Sequence, residues 1–226
     1  MTIMYDLGVI LFDLDGVLLD TISSLKQTYQ DVAQYLGIKP PSRVALNRAV
    51  QLGPQKALRE LFPESDSKAK ATFNRYWCAN IESVSCFVGV TELLMALSSR
   101  EVILGTVTSR NSSDTYSLLD AARLRGYMQI VVTWGHYRVP KPSPACLIVA
   151  LQKTGKPPSK TVYVGDQATD ILAAKSAGVL AVGAIWDVNA SEDDLRSAGA
   201  DIIAKEPIEI LDLVTAGGTP QAIGEK

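Results

Sequence analysis

Outside residues 20–87, the chain alternates short aliphatic runs with segments of helical periodicity. Aliphatic runs occur at 8–12, 102–107, 129–133, 161–164, 179–185 and 201–204. Helical patterns separate the later runs, and strands that alternate with helices in this way pair in parallel through right-handed crossovers. Helices cover both faces of such a sheet. The sequence therefore predicts an α/β fold built on an open parallel sheet.

Residues 20–87 interrupt this alternation. Helical patterns follow one another there, near 21–36, 42–51, 54–62 and 66–81, and no convincing strand lies among them. We therefore expect a small all-helical unit at 20–87, called the helical unit below. It is set into a core made of residues 1–19 and 88–217. Residues 218–226 are expected to form a flexible tail.

The charge balance limits the possible partners. The chain has 22 Lys and Arg against 24 Asp and Glu, a net charge of -2, and it contains three cysteines without metal-ligand spacing. It lacks the broad positive field that binds nucleic acid or anionic lipid, and no segment has the ~20 apolar residues that span a bilayer. With no secretion signal and expected reduced thiols, we predict a cytoplasmic protein, monomeric or homodimeric.

Polar side chains follow the ends of several predicted strands. Asp13, Thr108 and Asp166 come directly after aliphatic runs, and Lys141 lies in the loop after the third strand. In an open parallel sheet, ligands bind in the crevice beyond the carboxyl ends of the strands. We therefore expect these four side chains to lie together at one edge of the sheet.

The first of these positions carries two carboxylates two residues apart. Asp13 can attack a phosphorus atom while Asp15 handles protons, which splits a difficult displacement into two easier steps. Gly16 permits a tight turn beside whatever binds there. The alternative interpretation is that both carboxylates only form a turn or cap a helix.

The segment GDQATD at 165–170 offers a metal site. Asp166 lies at a strand end and Asp170 one helical turn later, so both carboxylates can face one Mg²⁺ ion, which prefers oxygen ligands. Asp166 can also cap the helix, and the two roles are compatible. Thr108 and Ser109 can hold phosphoryl oxygens together with N–H groups at a helix start, although they can equally be N-caps. Lys141, between two prolines, can neutralise carboxylate and phosphate charge.

The motifs DLDGV, VTSR, KPSP and GDQATD, which begin at 13, 107, 141 and 165, resemble those of the haloacid dehalogenase superfamily and of its phosphatases in particular. The resemblance covers essentially the whole chain. It implies a Rossmann-like core, a cap of the C1 type formed by the helical unit, Mg²⁺ as cofactor, and a small phosphorylated metabolite as substrate. For the site residues it implies an aspartyl-phosphate at Asp13, acid–base catalysis by Asp15, phosphate contacts by Thr108 and Lys141, and metal ligands from Asp13, Asp15 (through its carbonyl), Asp166 and Asp170.

Several activities of that superfamily are compatible with the sequence to different degrees. The helical unit is similar to those of phosphoglycolate phosphatases and related pyrophosphatases. Asp15 argues against dehalogenation, and Leu25 stands where similar β-phosphoglucomutases carry a histidine. We therefore expect a phosphatase, with a sugar-phosphate mutase or a pyrophosphatase as alternatives. A non-enzymatic phosphoacceptor module is a remote alternative, because such a module needs neither Asp15 nor a helical lid.

Substrate contacts are less clearly marked than the reacting groups. Gly16 and Ser109 lie beside the predicted reaction centre, and Arg110 directly follows Ser109. Lys56 in the helical unit could reach down to an anionic substrate, or it could be a solvated charge on a helix face. These four residues are the predicted substrate-binding set.

Overall fold

The computed structural model of the protein describes residues 7–52 and 54–214, so the predicted tail at 218–226 lies outside the described residues. The strands are β1 (Val9–Phe12), β2 (Leu19–Asp20), β3 (Ser85–Cys86), β4 (Ile103–Asn111), β5 (Ile130–Trp134), β6 (Thr161–Gly165), β7 (Leu180–Ala184) and β8 (Ile202–Ala204). The helices are α1 (Thr21–Tyr35), α2 (Arg43–Leu52), α3 (Pro54–Leu61), α4 (Asp66–Asn80), α5 (Val90–Ser98), α6 (Ser112–Ala121), α7 (Ala145–Thr154), α8 (Ala168–Ala177) and α9 (Glu192–Ser197). Short 3-10 turns lie at Pro63–Ser65, Ile81–Ser83, Arg125–Tyr127, Pro158–Lys160 and Pro207–Leu213.

Six of the strands form one parallel sheet in the order β5-β4-β1-β6-β7-β8. β1 lies inside the sheet, with Val9 opposite Ile103 of β4 on one side and Thr161 of β6 on the other. All four residues of β1 are buried, as expected for an aliphatic strand with neighbours on both sides. The predicted parallel α/β fold is confirmed.

Each face of the sheet has its own hydrophobic cluster. Ile10 and Phe12 of β1 belong to one cluster, which includes leucines of α5 and α6. Val9 and Leu11 belong to the other, which includes apolar residues of α7, α8 and α9. Because successive side chains of a strand point to opposite faces, this alternation places helices on both sides of the sheet.

The helical unit packs around an aromatic row. The rings of Tyr29 on α1 and Phe73 on α4 lie 5.4 Å apart, and the ring of Trp77 is stacked on Phe73 at 6.4 Å. These three residues belong to the same hydrophobic cluster as Ile10 and Phe12 of the sheet. The helical unit is therefore continuous with the core on one face, and its exact boundaries stay a prediction.

A small antiparallel ribbon lies where the chain enters and leaves the helical unit. Leu19 pairs with Cys86, and Asp20 pairs with Ser85. The expectation that 20–87 contains no strand is therefore wrong at its two ends. Strands of two residues have no alternation that a sequence pattern could reveal.

The strand β4 is longer than the aliphatic run that predicted it. It continues from Ile103 through Asn111, with a register shift against β5 between Val107 and Asn111. Thr108, Ser109 and Arg110 therefore belong to the last part of the strand instead of following it.

In the described part of the chain, no helix is long and apolar enough to cross a membrane.

Candidate active site

Three carboxylates meet at the carboxyl edge of the sheet. Asp13 follows β1, and its N–H donates to the carbonyl oxygen of Val164 on β6 at 2.8 Å. Asp166 follows β6, and Asp170 lies in the first turn of α8. Each of the three aspartates offers an oxygen within 4.8 Å of the others, and all three are buried. The structure thus brings together the two motifs from which the sequence predicted a metal site.

Lys141 lies against this carboxylate cluster. Its Nζ is 3.2 Å from Oδ1 of Asp13 and 2.7 Å from Oδ1 of Asp170, and its side chain is only 6% exposed. Nζ also donates to the hydroxyl of Tyr163 at 2.6 Å. Neighbouring Asp13 and Asp170 raise the pKa of Lys141 against the opposing effect of burial, which keeps this ammonium charged.

The site has more negative than positive charge. Burial raises the pKa of Asp13 to about 7, with Lys141 lowering it and Asp170 raising it. Burial together with the charges of Asp170 and Asp13 also raises the pKa of Asp166 well above its ordinary value. One ammonium cannot balance three crowded carboxylates, so the cluster favours a further cation.

The chemistry of the donors fits Mg²⁺. Oδ1 of Asp166 is buried and has no hydrogen-bond partner among the described residues. An unpaired buried carboxylate oxygen is costly unless something occupies it, and carboxylate oxygens are the ligands that Mg²⁺ prefers. Asp13, Asp166 and Asp170 can therefore hold the ion implied by the sequence.

Gly16 lies where the first loop approaches Asp166. Its φ of +74° is in the left-handed region, and a Cβ added there would lie 2.2 Å from Oδ2 of Asp166. The N–H of Gly16 donates to the carbonyl oxygen of Leu19 at 3.1 Å. Only glycine fits this turn without moving Asp166, so the structural role of Gly16 is to leave room for that carboxylate.

Asp15 points to a different set of partners from Asp13. Nε of Arg110 donates to its Oδ1 at 2.9 Å and to its Oδ2 at 2.8 Å, and the hydroxyl of Thr21 on α1 also donates to Oδ1. Burial raises the pKa of Asp15, but the charge and hydrogen bond of Arg110 outweigh it and hold the pKa below its ordinary value. The guanidinium of Arg110 lies 4.8 Å from the ring centre of Trp77 on α4.

The hydroxyl residues of β4 are not the cap of the following helix. Asn111 caps α6, and its side chain accepts from the N–H of Asp114 at 2.9 Å. Thr108 is buried, and its hydroxyl accepts from the N–H of Arg110 at 3.2 Å, whereas Ser109 is exposed. The N-cap interpretation of Thr108 and Ser109 is therefore wrong, and their phosphate contacts stay a prediction.

The other capping alternatives also fail. Gln167 is the N-cap residue of α8, and its N–H donates to Oδ2 of Asp170 at 3.1 Å. Asp20 caps α1 by accepting from the N–H of Ser23 at 3.2 Å. Neither Asp166, Asp13 nor Asp15 is needed to begin a helix, so their convergence is not explained by capping.

Some predicted and unpredicted residues change the composition of the site. Lys56 is exposed on α3, and no contact among the described residues joins it to the carboxylates, so its substrate role stays a prediction. Sequence analysis missed Thr21, Tyr163 and Trp77, which touch Asp15, Lys141 and Arg110. For Tyr163 a signal existed, because a tyrosine in a fully buried aliphatic strand needs a partner for its hydroxyl.

The protein has a Rossmann-like parallel α/β core. A buried cluster of three carboxylates lies at the carboxyl edge of its sheet, and the ammonium of Lys141 lies against the cluster. A model of the haloacid dehalogenase-like hydrolase family matches residues 10–184. The chain belongs to this family, as the four motifs predicted.

Relatives of known name cover nearly the whole chain. The phosphoglycolate phosphatase of Xylella fastidiosa is 30% identical over 88% of this chain and 89% of that protein. The N-acetylmuramic acid 6-phosphate phosphatase of Pseudomonas aeruginosa is 26% identical over 92% of this chain and 95% of that protein. The solved structure of a hydrolase of the same superfamily, subfamily IA, variant 1, from Geobacter sulfurreducens has a TM-score of 0.79 at 25% identity and covers 93% of this chain and 98% of that one.

Proposed function

We propose that this protein is a Mg²⁺-dependent phosphatase that hydrolyses a small phosphate monoester through an aspartyl-phosphate at Asp13. The observation that carries the proposal is the position of Asp13, which contacts Lys141 and lies beside Asp166 and Asp170 while the second carboxylate, Asp15, is held apart by Arg110. The two carboxylates lie in different surroundings, and the proposed roles require that bound Mg²⁺ lowers the pKa of Asp13 and that Asp15 carries a proton when the alcohol departs.

The first half of the reaction uses both carboxylates. An oxygen of Asp13 attacks phosphorus, the bond between phosphorus and the ester oxygen breaks, and Asp15 gives its proton to the departing alcohol. In the second half, Asp15 takes a proton from water, the water oxygen attacks phosphorus, and the bond to Asp13 breaks to release phosphate. Asp13, Asp166, Asp170 and the carbonyl of Asp15 would hold Mg²⁺, and the bound ion would supply charge that offsets the repulsion between carboxylate and phosphate.

The remaining predicted roles concern binding. Thr108, Ser109 and Lys141 would contact the transferring phosphoryl group, because they line the ends of β4 and of the loop that faces Asp13. Arg110 is the candidate for binding the part of the substrate beyond the phosphoryl group. Only Nε of its guanidinium donates to Asp15, and within the described chain the guanidinium makes no other hydrogen bond. Lys56 and Gly16 complete the predicted set.

The names of the relatives guide the choice of substrate. A phosphoglycolate-like ester is the first candidate, and a sugar phosphate or pyrophosphate is the alternative. We place the protein in the cytoplasm as a monomer or homodimer, with free thiols at Cys78, Cys86 and Cys146 in support.

The test is phosphate release from a panel of small esters and pyrophosphate, with Mg²⁺ and with EDTA. Asp13→Asn should abolish release, and Asp15→Asn should slow it by about 10²- to 10⁴-fold, the usual contribution of general acid–base catalysis. Asp193→Asn, at an exposed aspartate of α9, is the control and should be fully active. Activity retained in Asp13→Asn would overturn the nucleophile assignment, and isomerisation of a sugar phosphate without net release would favour a mutase.

A further inference from the structure

Lys141 is almost fully enclosed and has three polar neighbours. An ammonium has three N–H donors. Its Nζ donates to Oδ1 of Asp170 at 2.7 Å and to the hydroxyl of Tyr163 at 2.6 Å, and it forms an ion pair with Oδ1 of Asp13 at 3.2 Å. Two of these belong to the carboxylate cluster, and the third is a neutral group with no part in the reaction described above.

The Tyr163 hydroxyl is itself fixed to the sheet. It lies on β6 and donates to the carbonyl oxygen of Val107 on β4 at 3.0 Å, and it is 3.3 Å from Oδ1 of Asp170. The ring packs in the hydrophobic cluster that contains Leu11. A phenylalanine would fill the same space in this cluster, so packing does not explain the hydroxyl. The partners of the hydroxyl all lie at the site or in β4, the strand that carries Thr108.

We propose that Tyr163 is a positioning residue of this reaction, which holds the ammonium of Lys141 against Asp13 and Asp170. The hydroxyl accepts one proton of the ammonium and so fixes Nζ where it donates to Asp170 and lies 3.2 Å from Oδ1 of Asp13. The chain of bonds from Lys141 to Tyr163 to the Val107 carbonyl ties the ammonium to β4, which also carries Thr108. The expected effect of Tyr163 on the reaction rate rests on the proposed function. Its expected effect on the position of the Lys141 ammonium does not depend on any activity.

The loss of this hydroxyl should leave the fold intact. Tyr163→Phe keeps the ring, which lies 5.2 Å from Nζ of Lys141 and retains its cation–π contact. Without this acceptor, the ammonium can turn away from Asp13 and no longer holds that carboxylate in one orientation. Supporting residues of this kind typically contribute about tenfold or more to activity.

The chain offers a matched control at Tyr137. Its hydroxyl donates to the carbonyl oxygen of Thr108 at 3.0 Å and also interacts with the Ser109 side chain, so Tyr137→Phe likewise removes a tyrosine hydroxyl from β4 but leaves the bonds of Lys141 in place. With p-nitrophenyl phosphate and saturating Mg²⁺, we expect kcat to fall about tenfold in Tyr163→Phe at little-changed KM, and to fall far less in Tyr137→Phe. Equal kcat values in the two variants, or a loss in Tyr163→Phe that only follows a lower Tm, would overturn the inference.

The ammonium itself gives the second readout. In ¹H–¹⁵N spectra of the lysine ammonium groups, the enclosed Lys141 should give a slowly exchanging signal, assigned by its loss in Lys141→Arg. We expect this signal to vanish or shift in Tyr163→Phe and to persist in Tyr137→Phe; persistence in both refutes the inference. If the wild-type protein hydrolyses no ester, the proposed function fails. The spectrum still tests by itself whether Tyr163 holds the Lys141 ammonium in place.

Discussion

Arg110 bridges the two carboxylate oxygens of Asp15 through Nε, at 2.9 and 2.8 Å. The same guanidinium lies over Trp77 of the helical unit, at 4.8 Å from the ring centre. One side chain therefore connects the candidate acid–base group with the helices above it. Substitution of Trp77 and substitution of Arg110 should therefore affect catalysis in different ways.

Removing the ring of Trp77 tests the contact from the side of the helical unit. In Trp77→Leu, Arg110 loses a partly enclosed cation–π contact worth about 0.5 to 2 kcal/mol, so we expect KM to rise more than kcat falls. Steady-state kinetics on the best ester measure this. Tyr116→Leu is the control, since it removes the ring that Arg125 covers at 4.7 Å on the core surface. Equal KM values in the two variants would contradict the link.

Replacing Arg110 tests the contact from the side of Asp15. Because Arg110 lowers the pKa of Asp15, Arg110→Met should raise that pKa. In the proposed mechanism Asp15 is the acid of the first step, so in this variant it would keep its proton to higher pH and the alkaline limb of the kcat/KM profile should move to higher pH. Arg125→Met, which breaks the exposed pair with Asp120, should leave the limb in place. An unmoved limb in Arg110→Met argues against Asp15 as the acid.

The raised pKa of Asp13 predicts how stability depends on pH without metal. The pKa is 3.8 ordinarily and about 7 in the folded protein, so the folded state binds the proton more tightly. The resulting stabilisation is complete below the ordinary value and is lost as pH rises through about 7. Thermal melts in EDTA across this range should show a falling Tm, with a shallower fall in Asp13→Asn. A Tm that rises with pH would contradict the assigned environment.

Metal binding should offset the loss of folding stability that the crowded carboxylates cause. A ligand that binds only the folded state stabilises it by about 2.7 kcal/mol at a hundred times its Kd, so Mg²⁺ should raise the wild-type Tm at neutral pH. Asp166→Asn should melt higher than the wild type in EDTA and lose most of the shift with Mg²⁺.

The control for this experiment is Asp187→Asn. Oδ2 of Asp187 is also buried without a partner among the described residues, but Asp187 is not part of the carboxylate cluster. It should therefore keep the full Mg²⁺ shift. A normal shift in Asp166→Asn would place the ion elsewhere.

Much of this architecture could be predicted because its determinants are local in sequence. The buried aliphatic run before Asp13 and the alternation after residue 88 defined the sheet, and the rule for carboxyl ends of strands brought Asp13, Asp166 and Lys141 together. The ordered motifs predicted the family. These signals depend on strand order and spacing, which a sequence carries directly.

The contacts that sequence analysis missed join residues far apart in the chain. Trp77 meets Arg110, and Tyr163 meets Lys141, through side chains whose spacing has no fixed relation to the fold. The extra length of β4 was equally hidden, because its last residues are polar and continue the strand only through pairing of Asn111 with Trp134. Tertiary packing decides such details.

The position of β1 in the sheet determines when the sheet and the carboxylate cluster can assemble in a growing chain. β1 is made first, yet its two neighbours, β4 and β6, follow at 103–111 and 161–165, with the helical unit emerging in between. A nascent chain that stops short of β6 has Asp13 but lacks Asp166 and Asp170. During synthesis on the ribosome, Asp13 is therefore present long before Asp166 and Asp170, and the cluster of three carboxylates is completed only when residue 170 has been translated.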